Sequence, residues 1–182
     1  MKTEPSAKSS ARRLDLLSVA ALSSEEFSSA FKKSFSLAAF IVNRHLVDHF
    51  MRASRQLGVD YEALIIWAVL AHQNCAHLMP PGSLPAAVLN EAGRLREDHP
   101  GLRPLRLRDL TQITGIPRET VRRKLRLLHA AGRVEETDAG WLVSAEHAEE
   151  LRAFTEESVR RFLAAAADLV RTLEGASEGS RG

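Results

Sequence analysis

Cysteine is nearly missing from this chain. Cys75 is the only one in 182 residues, which excludes an intramolecular disulfide framework. Glycine and proline are not enriched, and an apolar content of 45% is enough for a real core. No window reaches about 18 uninterrupted apolar residues, so no transmembrane helix is expected. The opening segment MKTEPSAKSSARR has no apolar stretch of the signal-peptide kind, so a cytoplasmic location is expected. No phosphate-binding glycine loop, dinucleotide fingerprint or nucleophile elbow occurs. No nucleophile or paired acid stands out either, so neither enzymatic activity nor a cofactor is expected. There is no internal repeat.

Against these absences, one stretch is rich in signal: LRLRDLTQITGIPRETVRRKLRLLHAAGRVEETDAGWLV, residues 105–143. Leu107, Leu110 and Ile113 recur at three-residue spacing, which predicts a helix over 107–114 with one apolar face. Thr114-Gly115-Ile116 follows, and glycine tolerates the positive φ of a sharp turn between helices. Pro117 suits the first turn of a second helix over 117–131. That helix places Val121, Leu125 and Leu128 on one face and Arg118, Glu119, Arg122, Arg123, Lys124 and Arg126 on the other. A β-hairpin is expected next: a strand over 133–136, a turn at Thr137-Asp138-Ala139-Gly140, and a strand over 141–143.

Charge is concentrated on the same stretch. Residues 103–133 hold eight arginines and one lysine against Asp109 and Glu119, a net +7, while the whole chain is only +2. Residues 134–182 carry eleven acidic and five basic side chains, a net −6. A charge run alone is most simply a solvated helix face. Here it coincides with the turn chemistry and the hairpin, and a cationic motif inside an otherwise acidic chain is what phosphate binding requires.

Arg118-Glu119-Thr120-Val121-Arg122-Arg123 is similar to the recognition helix of the catabolite-activator (Crp/Fnr) regulators, whose pattern is R-E-T-V-x-R. The resemblance covers about forty residues. It implies that Arg118, Glu119 and Arg123 read base edges in the major groove. The chemistry agrees: arginine bonds guanine O6 and N7 together, and glutamate accepts from cytosine N4. Thr120 and Arg122 are expected near the backbone or an adjacent base. Arg106, Arg108, Lys124 and Arg126 are expected to hold phosphates. The hairpin departs from phosphate-gripping wings, since its tip carries Glu135, Glu136 and Asp138. Trp141 is expected in the hairpin core.

The rest of the chain reads as helices. Residues 1 to about 10 are expected to be disordered, with a short helix possible over 12–21. Ser23-Ser24-Glu25-Glu26 contains a capping box, so a helix with Phe27 and Phe31 on its apolar side starts near Ser24. A longer one is expected over 36–57, ended by Gly58. Asp60 caps a third, 61–78, that is apolar nearly all round at its start. Residues 79–104 read as a partly structured connection, with a helix possible over 84–95, a turn at 98–101 and a short strand over 102–106. A last helix over 145–173 carries Leu151, Phe154, Val159, Phe162, Leu169, Val170 and Leu173, and residues 175–182 are expected to be a disordered tail. So long a stripe needs a partner, and a second copy of the chain is the obvious one.

This order resembles the MarR group of dimeric winged-helix regulators, where terminal helices build the dimer. The fold expected is therefore mainly α: a winged helix-turn-helix at 105–143, an N-terminal helical region at 23–78, a C-terminal dimerisation helix at 144–174 and a short β-hairpin wing. The function expected is a homodimeric, sequence-specific DNA-binding transcriptional regulator. Its partners would be double-stranded DNA on an inverted repeat, its own second copy, and an unidentified small-molecule effector near Trp67, His72 and Phe50. The alternative is a winged-helix module that binds an acidic protein partner. His45 and His49 share a helix face, and His72, Cys75 and His77 lie close in sequence, as metal ligands would, but no ligand spacing is complete and no metal is expected. Cys75 lies late in its helix, where the dipole disfavours a thiolate.

Overall fold

The computed structural model describes residues 23–79, 101–144 and 147–178. Five helices and one hairpin follow in order: α1 (Ser24–Leu57), α2 (Tyr61–Cys75) continued by a single 3₁₀ turn (Ala76–Leu78), α3 (Leu107–Thr114), α4 (Arg118–Ala130), β1 (Val134–Thr137), β2 (Gly140–Val143) and α5 (Ala148–Glu178). The expected mainly helical chain with one antiparallel hairpin is observed. The expected helix over 12–21, helix over 84–95 and turn at 98–101 lie outside the described residues. Among those described, no helix is long and apolar enough to cross a membrane.

The chain divides into two compact units, and the boundaries fall inside α1, between Asp48 and His49, and inside α5, between Glu156 and Glu157.

The first unit pairs α1 up to Asp48 with α5 from Glu157. Arg44 meets Asp168 at 3.2 Å and Asp48 meets Arg161 at 3.1 Å, so the helices run antiparallel. Ser23 and Glu26 form the expected capping box: Glu26 N–H donates to Ser23 Oγ at 3.2 Å, and Ser23 N–H donates to Glu26 Oε2 at 3.0 Å. Two helices were expected over 24–57, but one is present. Lys32-Lys33-Ser34-Phe35-Ser36 contains no helix breaker, and Ser34 Oγ bonds back to Ala30 O at 2.8 Å. Ala30, Ala38 and Ile41 are buried on α1, and Val170 and Leu173 on α5. On one flank of that buried strip α1 leaves Phe31, Phe35, Val42 and Leu46 exposed, and on the other Leu37, Phe40 and Val47. α5 extends to Glu178, through Gly175 and into the segment expected to be disordered.

The second unit, His49–Glu156, is organised around α2. Ile66 and Leu70 are fully buried, and Leu64 and Trp67 nearly so. They pack with Leu110 of α3, with Val121, Leu125 and Leu128 of α4, with Val134 and Trp141 of the hairpin, and with Ala53 and Leu57 at the end of α1. Each buried valine, leucine or isoleucine among them contributes roughly 1.5–3 kcal/mol on leaving water. The strand expected over 102–106 shrinks to one bridge: Leu105 and Trp141 exchange backbone bonds at 3.0 and 2.9 Å. Gly140 makes this approach possible. Its φ is +141°, and a Cβ there would lie 2.7 Å from Leu105 O.

Asn74 closes the unit. It is fully buried at the end of α2; Nδ2 donates to Arg103 O at 2.7 Å and to Trp141 O at 3.2 Å, and Oδ1 accepts from Val143 N–H at 2.9 Å. One side chain thus joins the helix to the incoming chain and the second strand. Asn74→Ala leaves those groups without their partner, and the expected cost is roughly 3 kcal/mol in urea unfolding. A midpoint equal to wild type would show that the tie holds nothing.

Candidate nucleic-acid interface

α3, the turn and α4 form the scaffold of the candidate surface. Gly115 ends α3 in the left-handed region at φ +67°, and its N–H donates to Thr111 O at 3.0 Å. Thr114 Oγ accepts from Ile116 N–H at 3.2 Å, which fixes the turn from inside. Pro117 stands one position earlier than expected: with φ −54° and ψ 137° it is the N-cap residue, and Arg118 is the first helical residue. The 13 residues of α4 span about 20 Å. That length and a diameter of about 10–12 Å fit a major groove about 12 Å wide.

α4 divides sharply by face. Val121, Leu125 and Leu128 are buried at four- and three-residue steps. Arg118, Glu119, Arg122, Arg123 and Arg126 are exposed, and Thr120 is half-buried beside them. Arg106 stands exposed as the N-cap residue of α3, and Arg108, exposed in its first turn, pairs with Asp109 at 3.2 Å. Eight of the nine residues picked from the sequence are therefore accessible at α3 and α4.

The ninth, Lys124, is a correction. Its side chain is only 7% exposed, and Nζ lies 2.5 Å from Asp60 Oδ2 and 3.3 Å from Glu62 Oε2. It sits at the edge of the buried strip and is spent on α2, so it is not presented to a phosphate. From the sequence Asp60 is expected to be a cap alone. Asp60 is one, since Oδ1 accepts from Ala63 N–H at 3.0 Å, but its other oxygen takes Lys124. Nothing local signals that second role, because the partners are 64 residues apart.

The outward face has its own internal pair. Arg122 Nη2 donates to Glu119 Oε2 at 2.5 Å, one turn along the helix. That bond, with the charges of Arg122 and Arg126, holds the Glu119 carboxyl below the usual range. Glu119 therefore stays an acceptor, the form that would take a proton donor from a base.

The hairpin contributes acid. Glu135, Glu136 and Asp138 are exposed on or beside β1, while Val134 and Trp141 are buried as hairpin core. His129 at the end of α4 bonds Val134 O through Nδ1 at 2.9 Å and lies edge-on to Trp141, so this histidine braces the hairpin. Arg133 is also internal: it lies 4.7 Å over the Trp67 ring and donates to Leu57 O at 2.7 Å. Trp67, one of the residues expected near an effector, is thereby covered within the core.

Among the described residues, no three His, Cys, Asp or Glu side chains are grouped to hold an ion. Cys75 Sγ donates to Ala71 O at 3.0 Å, and burial pushes its thiol above the usual value, away from a reactive thiolate. Comparison with known proteins finds no family model, no curated protein and no solved structure that matches this chain.

The Asp60 carboxyl is held below its ordinary 3.8, first by the hydrogen bond from Lys124 and then by the N–H of Ala63. A carboxyl depressed in the folded state stabilises the fold above its unfolded pKa, and that contribution is lost as pH falls through the folded value. Asp60→Asn is therefore expected to flatten the loss of stability below pH 3.8, followed by thermal melts across an acid series. An acid limb as steep as that of wild type would show that the pair contributes nothing to acid sensitivity.

Proposed function

We propose that this chain is a sequence-specific DNA-binding transcriptional regulator that acts as a homodimer. In this reading α3, α4 and the hairpin are a winged helix-turn-helix, and α4 enters the major groove. The observation that carries it is the division of α4, with a buried apolar strip on one side and Arg118, Glu119, Arg122, Arg123 and Arg126 on the other. Arg118, Glu119 and Arg123 read base edges, and Arg106, Arg108 and Arg126 hold phosphates. Thr120 and Arg122 lie near the backbone or a neighbouring base.

Dimerisation is supported by the first unit. Eleven large apolar side chains there, Phe27 through Val47 on α1 and Val159, Phe162 and Leu163 on α5, are 36–59% exposed. Five of them are phenylalanines, which at roughly 150–250 Å² each and half-exposed present on the order of 500 Å², and the six aliphatic side chains add to that. A monomer rarely shows an apolar patch above about 600 Å², and a standard interface takes about 800 Å² from each partner. A helix apolar on both flanks is a buried helix, and a second copy supplies the cover. Two-fold symmetry then implies an inverted repeat with half-sites about 34 Å apart.

The acidic hairpin tip favours a second reading, a winged-helix module that meets protein rather than DNA. Glu135, Glu136 and Asp138 would repel phosphates.

Selection of bound duplexes from a random DNA pool separates the two. The expected outcome is an enriched inverted repeat with G·C pairs in each half-site; no binding even at low salt would sink the DNA reading. Arg123→Ala should cost about 1–3 kcal/mol and relax one base position, whereas Arg126→Ala should weaken all sequences alike and reduce the salt slope by about 1. Equal weakening of specific and random DNA by Arg123→Ala would refute the base-reading assignment. Sedimentation should give twice the chain mass for wild type and the chain mass for Phe40→Glu. A monomeric wild type would refute the dimer.

A further inference from the structure

We propose that Lys124 is a positioning residue for base readout, which locks the rotation and axial position of α4 through Asp60. This rests on the DNA-binding reading above. Burial of Val121, Leu125 and Leu128 holds α4 against the core, but the hydrophobic effect is non-directional and does not by itself orient the outward side chains. A charge-assisted hydrogen bond is directional and short. Lys124 adds one at 2.5 Å to Asp60, with Glu62 at 3.3 Å as a second anion. The acceptor is itself fixed, because the other Asp60 oxygen is held by the N–H of Ala63. The first turn of α2 and the middle of α4 are thus joined through one carboxylate.

Lys124 immediately follows Arg123 on the same turn. A slip of the lysine is a slip of the arginine, and bidentate base contacts fail when displaced by about 1 Å. An apolar side chain of similar volume would avoid the desolvation of a nearly buried ammonium. What the ion pair supplies in return is geometry. The lysine's partners also keep it out of the outward field, so that field is made of arginines and Glu119 alone.

The test uses the full chain and the duplex enriched from a random pool, compared with a scrambled duplex across a salt series. K124M keeps the volume without the charge, D60N keeps the cap without the anion, and K124R keeps a cation. In K124M and D60N the ratio of specific to scrambled affinity should fall about tenfold with an unchanged salt slope. K124R should recover most of the ratio. A fall in salt slope of about 1 in K124M, with both duplexes weakened alike, would make Lys124 a phosphate contact and overturn the proposal. So would an unchanged ratio in folded K124M and D60N. If K124M melts before the assay temperature, D60N and K124R decide the question. A wild type without sequence preference removes the DNA reading and this proposal with it. A wild type with preference and variants that match it overturn the clamp alone.

Discussion

The second unit depends on the packing of α4 against α2. α2 buries one broad face, formed by Ala63, Leu64, Ile66, Trp67 and Leu70, and α3, α4 and β2 all pack on this helix. α4 can present its whole outward face because Val121, Leu125 and Leu128 satisfy its inward one. Loss of any of these three would leave a cavity beneath the charged surface, at a typical cost of 2–5 kcal/mol for a leucine cut to alanine. Around this contact the remaining ties are polar and specific: Asn74 to the hairpin, Asp60 to Lys124, Arg133 to the end of α1.

Electrostatics on α4 follow from that packing. Five like-charged side chains within nine residues repel, and the helix must reduce the cost without losing the field. Two devices are visible. Glu119 pairs with Arg122 on the surface, and Lys124 is withdrawn to the carboxylates of α2. The first is an exposed pair, so it is weak and easily exchanged for another partner. In the second only the ammonium is buried, while its carboxylate partners remain half-exposed, so salt screens it less than a fully exposed pair.

Much of this was legible in the sequence, for identifiable reasons. The span of α3 was read to the residue, because leucine periodicity, the Thr-Gly turn and Pro117 all act locally. The hairpin was read to within one residue at each strand start because Asp138 and Gly140 mark its turn. Asp60 was legible as a cap, since capping spans three residues. What failed was non-local. Lys124 looks like the arginines around it until the fold brings Asp60 beside it. Asn74 carries no sequence mark at all; its importance comes from three partners supplied by residues 103, 141 and 143. The length of α1 is hidden for a different reason: its apolar side chains occupy both flanks, which blurs the single-stripe pattern that marks a helix. That same two-sided pattern supports the proposal of a covering partner.

Cys75 follows Asn74 directly, at the last turn of α2, and it is the chain's sole thiol. Its Sγ is partly covered and bonded to Ala71 O. A partly covered thiol reacts with an alkylating reagent at a basal rate from the folded state, and faster when its helical turn opens. Its labelling rate is therefore a built-in clock for local opening next to the residue that ties helix to hairpin. The breathing of that junction can be timed, on the scale of local rather than global unfolding, without introducing any foreign probe into the chain.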